Sequence, residues 1–257
     1  MKTAVVTGAS GGIGLETARA LLADGWQVVC LSRHACPLEG VRSIPCDITD
    51  SAQVQAAFAA VDRVDLLVNN AGFGISGAVE CTGEAEMRRQ FDLNFFAWVT
   101  VIQAALPALR ESRGRILNIS SAAAVFSIPF QSFYSATKAA VESLTCALRS
   151  ELAPFGITVG ALRLGDVKTG FTAARQKNII GDDIYGGRIS RSVAGMEKDE
   201  QTGMDPAAAG RFIADVALKN SRKPLYTIGL AYKGAVFLTK ILPARWLNGL
   251  IGMIYAK

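Results

Sequence analysis

The chain has 257 residues, half of them apolar, with a formal net charge of +5 and one histidine. That length buries a sizeable core as one large α/β domain or two small ones, and Lys and Arg scattered among acids argue against a nucleic-acid surface while admitting an anionic small ligand. His34 alone cannot furnish a Ser-His-acid triad or a multi-histidine metal site, so proton chemistry must come from other groups.

The N-terminal MKTAVVTGAS passes directly into a strand pattern without the longer apolar core and cleavage site of a signal peptide. Cys30, Cys36, Cys46, Cys81 and Cys146 are irregularly spaced with no CxxC pair, which predicts reduced thiols in a cytoplasmic protein and no metal site. The run TAVVT predicts the first strand, and the turn TGASGGIG, Thr7 to Gly14, leads into a helix near 12–24. Glycines at 8, 12 and 14 permit a tight turn and close backbone approach to a pyrophosphate, while the helix N-terminus offers free N–H groups. Gly8, Ser10, Gly12, Ile13 and Gly14 are therefore expected to bind a dinucleotide.

The second strand, WQVVCL, ends at Ser32-Arg33, near the distance at which dinucleotide folds meet the adenosine ribose. An acid there would accept from the 2′-hydroxyl, whereas Arg33 favours a 2′-phosphate. VRSIP, a helix near 51–60 and DLLVNN follow. Asp47, then Asn69, Asn70, Ala71 and Gly72, lie just beyond the third and fourth strands, where parallel sheets line a ligand crevice.

Helical patterns across 84–110, the strand RILNIS, a long helix near 131–153, ITVGALRL, a helix near 206–219 and PLYTIG continue the alternation. About seven strands, continuous in hydrophobicity where central, predict a doubly wound, Rossmann-like α/β fold with a parallel sheet and helices on both faces. Nothing resembles a linker, so 1–257 reads as one domain. Its glycine-bearing, polar segment 165–205 is too long for a plain connection and reads as a substrate lid. With Ser127 to Phe133 it would wall an apolar pocket through Ile128, Pro129, Phe130, Phe171, Ile179, Ile180 and Ile184. The last segment, 231–257, mixes apolar spacing with Lys233, Lys240, Arg245 and Lys257 and is broken by Pro243. It predicts a helical extension against the lid or a second subunit, with peripheral attachment to an anionic membrane as the alternative.

In SFYSATKAA, Tyr134 and Lys138 stand four apart, so a helix places phenol and ammonium on one face. The same spacing also fits a solvated lysine stem over an aromatic ring. At about 4 Å and an effective dielectric near 20, an ammonium favours the phenolate by roughly 4 kcal/mol. Burial opposes this, and the expectation is a smaller net fall in the Tyr134 pKa.

Taken together, the pattern resembles the short-chain dehydrogenases/reductases over nearly the whole chain. TGASGGIG matches that family's TGxxxGxG loop, Cys46-Asp47-Ile48 its adenine-contacting segment, NNAG its fourth-strand motif and YSATK its YxxxK signature. The resemblance implies that Asp47, Ile48, Asn70, Ala71, Gly72 and Thr169 bind cofactor alongside the glycine turn, Arg33, Tyr134 and Lys138. It also implies catalytic roles for Asn94 in DLNFF, as support for a water relay, and for Ser121, thirteen residues before Tyr134. Leu164-Gly165 replaces the family's usual Pro-Gly pair, and Gly11 stands where many NADP-preferring members carry a base.

The tail and insertion look like the hydroxysteroid and retinol dehydrogenase-like branch. The expectation is an NADP(H)-preferring oxidoreductase, with NAD(H) as the other cofactor, acting on a small hydrophobic carbonyl or secondary alcohol such as a steroid, retinoid or lipid ketone. Homodimers or homotetramers follow by the same resemblance. A nucleotide-binding regulator on this fold is the alternative, one that would be expected to have lost Tyr134 or Lys138.

Overall fold

The computed structural model describes residues 1–219 and 223–256. Lys257, counted above among the tail cations, lies outside them. Seven strands form one parallel sheet: β1 (Thr3–Thr7), β2 (Gln27–Ser32), β3 (Val41–Pro45), β4 (Leu66–Asn69), β6 (Arg115–Ser121), β7 (Thr158–Leu164) and β9 (Leu225–Thr227), in the order β3-β2-β1-β4-β6-β7-β9. Every residue of β1 and β4 is buried, whereas edge strand β3 alternates towards solvent. That contrast follows from helices covering both faces of the central strands. The expected fold class is thus observed.

From β1 the chain steps through α1 (Gly12–Ala23) to β2; from β3 it returns across the sheet through α2 (Ser51–Ala59) to β4. Right-handed crossovers in opposite directions put α1 and α2 on opposite faces. α8 (Pro206–Leu218) packs on α1, where Gly210 approaches so closely that a β-carbon would stand 2.4 Å from the Glu16 carbonyl carbon. On the other face, α2 meets α4 (Ala97–Ser112), and α5 (Ser132–Leu152) lies against β6 and β7.

Residues 84–112 are one helical path, but α3 (Glu84–Phe91) and α4 are separated by a π turn over Asp92–Phe96. The segment 165–205 carries ordered structure: a short α6 (Phe171–Ala174), β8 (Gln176–Lys177) paired with β5 (Ile75–Ser76), and α7 (Arg188–Gln201). Ile189, Val193 and Met196 of α7 form a second small core with Ala78 and Phe130. Beyond β9, α9 (Leu230–Ile241) and α10 (Ala244–Tyr255) meet at Pro243.

Candidate active site

The sheet reverses its winding between β1 and β4, so their carboxyl ends open a crevice. Thr7 ties its base together. Its Oγ1 accepts from the backbone N–H of Asn70 at 2.9 Å and of Ala71 at 3.1 Å, and Asn70 Nδ2 donates to its carbonyl at 3.0 Å. Gly8, just above, has φ +70°, and a β-carbon there would come within 3.0 Å of Ala71 Cα. Glycine alone accommodates both the left-handed backbone and the crowding. Gly14 works differently: a β-carbon would stand 2.5 Å from Asn70 Nδ2 and from the Gly8 carbonyl, so this glycine seats α1 on the β1–β4 seam.

No side chain caps α1, and nothing lies within 4 Å of where a Gly11 β-carbon would be. Its first-turn N–H groups are therefore left for an anionic ligand. A cavity of about 1090 Å³ extends from Arg33, Asp47 and Ile48, past Gly8, Ser10, Gly12, Ile13, Asn70, Ala71, Gly72 and Thr169, to Ser121, Tyr134 and Lys138. Of the residues expected to bind cofactor or act in catalysis, only Gly14 and Asn94 stand behind its wall. The open glycine turn, the uncapped helix and the exposed Arg33 fit a dinucleotide. Asp47 Oδ1 accepts from the Thr49 hydroxyl at 2.7 Å and backbone N–H at 3.0 Å; these bonds, with Arg33 nearby, hold its carboxyl below the usual carboxylate range.

At the other end, α5 brings Tyr134 and Lys138 to one face as the spacing predicts. The Tyr134 phenol and the Ser121 hydroxyl line the same end of the cavity, where the hydroxyl favours the phenolate, and Ser121 Oγ accepts from the Ala123 N–H at 3.1 Å. The Ser120 hydroxyl is taken up by Glu142 of α5, to which it donates at 2.8 Å, and Glu142 pairs with Arg163. Both serines border the cavity, but the Ser120 hydroxyl is committed to Glu142 and the Ser121 hydroxyl is not. Lys138 is 5% exposed; Nζ donates to the Ile119 carbonyl at 2.9 Å and lies 4.5 Å from the Trp98 ring centroid and 5.7 Å from that of Tyr134. Asn94, in the π turn and fully buried, accepts from the Phe73 N–H at 3.1 Å and donates to its carbonyl at 2.9 Å. Both ends of its amide are spent holding the loop after β4.

The electrostatics correct one expectation. Burial pushes the Tyr134 phenol up to about 12 against the Ser121 hydroxyl and the Arg175 guanidinium; Glu200 and Asp166 push the same way as burial. Burial also pulls Lys138 down to about 7. The desolvation that raises the phenol also drains the charge expected to lower it.

The substrate end departs further from expectation. Ile128 and Phe171 line the cavity, and the Phe171 ring lies 5.8 Å from that of Tyr134. Pro129, Phe130, Ile179, Ile180 and Ile184 do not line it. Phe130 is packed edge-on against Tyr185 in the second core, and the three isoleucines are 58%, 67% and 78% exposed. Leu238, Leu242, Leu247, Leu250, Ile251 and Ile254 of the C-terminal hairpin supply the apolar wall instead. Tyr232 fixes that wall in place: its ring fills the space over Gly165 and its hydroxyl donates to Asp166 Oδ2 at 2.5 Å. A buried Arg175–Glu200 pair completes the rim. Trp98, Tyr232 and Arg175 carried no local sequence signal, since each acts on residues distant in the chain.

A family model described as short chain dehydrogenase matches residues 2–179. The chain is 34% identical to the probable short-chain type dehydrogenase/reductase VdlC of Helicobacter pylori, over 98% of this chain and 97% of that one. It is 37% identical to the 3-ketodihydrosphingosine reductase of Bacteroides thetaiotaomicron, over 98% and 90%. A crystal structure of a short-chain dehydrogenase from Streptomyces avermitilis superposes with a TM-score of 0.83 at 30% identity, covering 98% of each chain.

Proposed function

The chain belongs to the short-chain dehydrogenase family, and from that premise we propose that it is an NADP(H)-preferring reductase of long-chain, hydrophobic ketones. The observation that carries this reading is that Ser121, Tyr134 and Lys138 line one cavity, at the junction of a dinucleotide-shaped crevice and an apolar wall. Exposed Arg33 at the end of β2 supports the 2′-phosphate. The leucine and isoleucine wall of α9 and α10 supports an alkyl chain, and the Bacteroides relative is named for a 3-keto lipid. The whole chain would act as one domain, with 165–205 beside the substrate.

A bound nicotinamide cofactor supplies the hydride that reaches the carbonyl carbon. Tyr134 donates its proton to the carbonyl oxygen, while the Ser121 hydroxyl holds that oxygen in line. A phenol held near 12 stays protonated at neutral pH, and the alkoxide left by reduction is a much stronger base, so the resting state of Tyr134 suits reduction. Lys138, near 7, exchanges a proton at working pH behind Tyr134. Asn94 keeps the Phe73 loop, and with it the cleft wall, in position.

The test is NADPH or NADH oxidation measured by absorbance over 3-keto long-chain bases, 3-keto acyl esters, steroids and retinal. Turnover confined to the long-chain ketones supports the reading. Cofactor binding without oxidation across the panel would instead mark a nucleotide-binding regulator.

A further inference from the structure

Two short helices close the chain and have two different faces. Their inner residues line the catalytic cavity, as described. Outward, Leu230, Phe237, Leu238, Ile241, Trp246, Leu250, Met253 and Ile254 are between 40% and 85% exposed. Sixteen large apolar side chains are exposed among the described residues, and these eight fall within 25 positions. Soluble surfaces scatter such side chains singly, and clustering marks an interaction site.

Three further observations identify the partner. From Leu225 to Ala256 the sequence holds no Asp or Glu, while Lys233, Lys240 and Arg245 are exposed. A face that is apolar, basic at intervals and free of acids complements a negatively charged lipid surface. A second copy fits poorly, because a two-fold contact would set like charges against each other with no carboxylate to answer them. Each helix has 12 residues, about 18 Å at 1.5 Å per residue, too short for a hydrocarbon core of about 30 Å. The pair therefore lies on a bilayer instead of crossing it. Exposed Trp246, beside Pro243 at the turn of the hairpin, suits the headgroup boundary.

Leu238, Leu250 and Ile254 belong to both faces: they are exposed and they line the cavity. The apolar patch is thus continuous with the cavity lining at these three residues. We propose that the outer face of α9 and α10 seats this protein on an anionic lipid bilayer, with the cavity mouth turned towards the acyl chains. Loading of a lipid ketone through that mouth rests on the reductase reading; binding to the bilayer does not.

The experiment uses the full chain with sedimentable vesicles of phosphatidylglycerol and phosphatidylcholine, and with phosphatidylcholine alone, at low and high salt. The chain is expected to pellet with the anionic vesicles, with Trp fluorescence shifted to the blue, and to be partly released by salt. Phe237→Glu/Trp246→Glu/Met253→Glu changes residues that do not line the cavity; it should lower partitioning at least tenfold while NADPH affinity in the absence of vesicles stays unchanged. Circular dichroism confirms that the variant folds, and Lys233→Gln/Lys240→Gln/Arg245→Gln gives a second, non-apolar route to the same loss. Wild-type chain left in the supernatant at every salt overturns the proposal. So does self-association in vesicle-free sedimentation that the triple Glu variant abolishes, with no vesicle binding. Vesicle binding without ketone turnover would sink the reductase reading and leave this one standing.

Discussion

The ring of Tyr232 occupies the space in which a β-carbon on Gly165 would stand, only 2.0 Å from that position. A loop beside the cofactor crevice and a helix 67 residues later are thereby joined, and the Tyr232 hydroxyl donates to Asp166 at 2.5 Å to complete the joint. Gly165→Ala must displace a ring held by burial on one side and this bond on the other. Overpacking of this kind costs about 1–3 kcal/mol. We expect a lower melting temperature, faster amide exchange across α9 and α10, and a raised KM for long ketones with cofactor affinity retained. Tyr232→Phe keeps the ring and should show a smaller change in the same measurements. Unaltered exchange in α9 and α10 for Gly165→Ala would count against the latch.

That joint also marks where the sequence stops being legible. The glycine turn before α1 and Tyr134 with Lys138 on one helix are set by spacing within one or two elements, and the structure places them, with Ser121, around one cavity. Tyr232 has no such signature, because its partner lies across the fold. The pocket wall was misplaced for a related reason. Ile179, Ile180 and Ile184 sit in a glycine-bearing turn before α7, and composition alone cannot say which way a turn faces. The Tyr134 pKa went the wrong way because the Coulomb argument treated Lys138 as a fixed charge; the burial of Lys138 was legible only once α5, Trp98 and β6 were assembled around it.

Removing the phenol oxygen isolates the proton step. Tyr134→Phe keeps the ring beside Phe171 and should leave NADPH affinity near normal while reducing turnover about 10²–10⁴-fold. Ser121→Ala removes the hydroxyl that opposes the rise in the Tyr134 pKa, so a partial loss is expected. The pH profile adds a sign. With the phenol near 12, ketone reduction should not fall between pH 7 and 9 through Tyr134 ionisation, whereas alcohol oxidation, which needs the phenolate, should rise across that interval. Oxidation that stays flat over the same range contradicts a protonated resting Tyr134.

Lys138 makes a prediction about stability. Its folded pKa, about 7, lies below the 10.5 of an exposed lysine, so the unfolded chain binds the proton more readily. Buried Lys138 therefore weakens the fold most below pH 7, and that cost is relieved as pH rises towards 10.5. The shift corresponds to about 4–5 kcal/mol at most. Against it stand the bond to Ile119 and the contact with Trp98, together about 2–3 kcal/mol. Lys138→Met should accordingly be inactive yet melt a few degrees above the unsubstituted chain at pH 6, with the gap narrowing by pH 9.5. A variant that melts lower at both pH values would show that the bond and the ring contact outweigh desolvation.

On the proposed NADP(H) reading, Arg33 would bear the cofactor preference almost alone, since Gly11 contributes no base and the uncapped start of α1 attracts any pyrophosphate equally. A charge-assisted contact to a 2′-phosphate is worth about 1.5–3 kcal/mol, or roughly 10–100-fold in affinity. Arg33→Ser should weaken NADPH by that factor and leave NADH close to its starting value, read as dissociation constants by fluorescence titration without any ketone present. Arg33→Asp goes further: the carboxylate would repel the 2′-phosphate and accept from a 2′-hydroxyl, so the order of the two cofactors should invert. Arg33 also helps to hold the Asp47 carboxyl low, so Asp47→Asn serves as a control for disturbance of the adenine end. That control should weaken both cofactors alike. If Arg33→Ser likewise weakens NADPH and NADH in parallel, the guanidinium acts as a general attractor at the end of β2, and selection between the cofactors must come from elsewhere in the crevice.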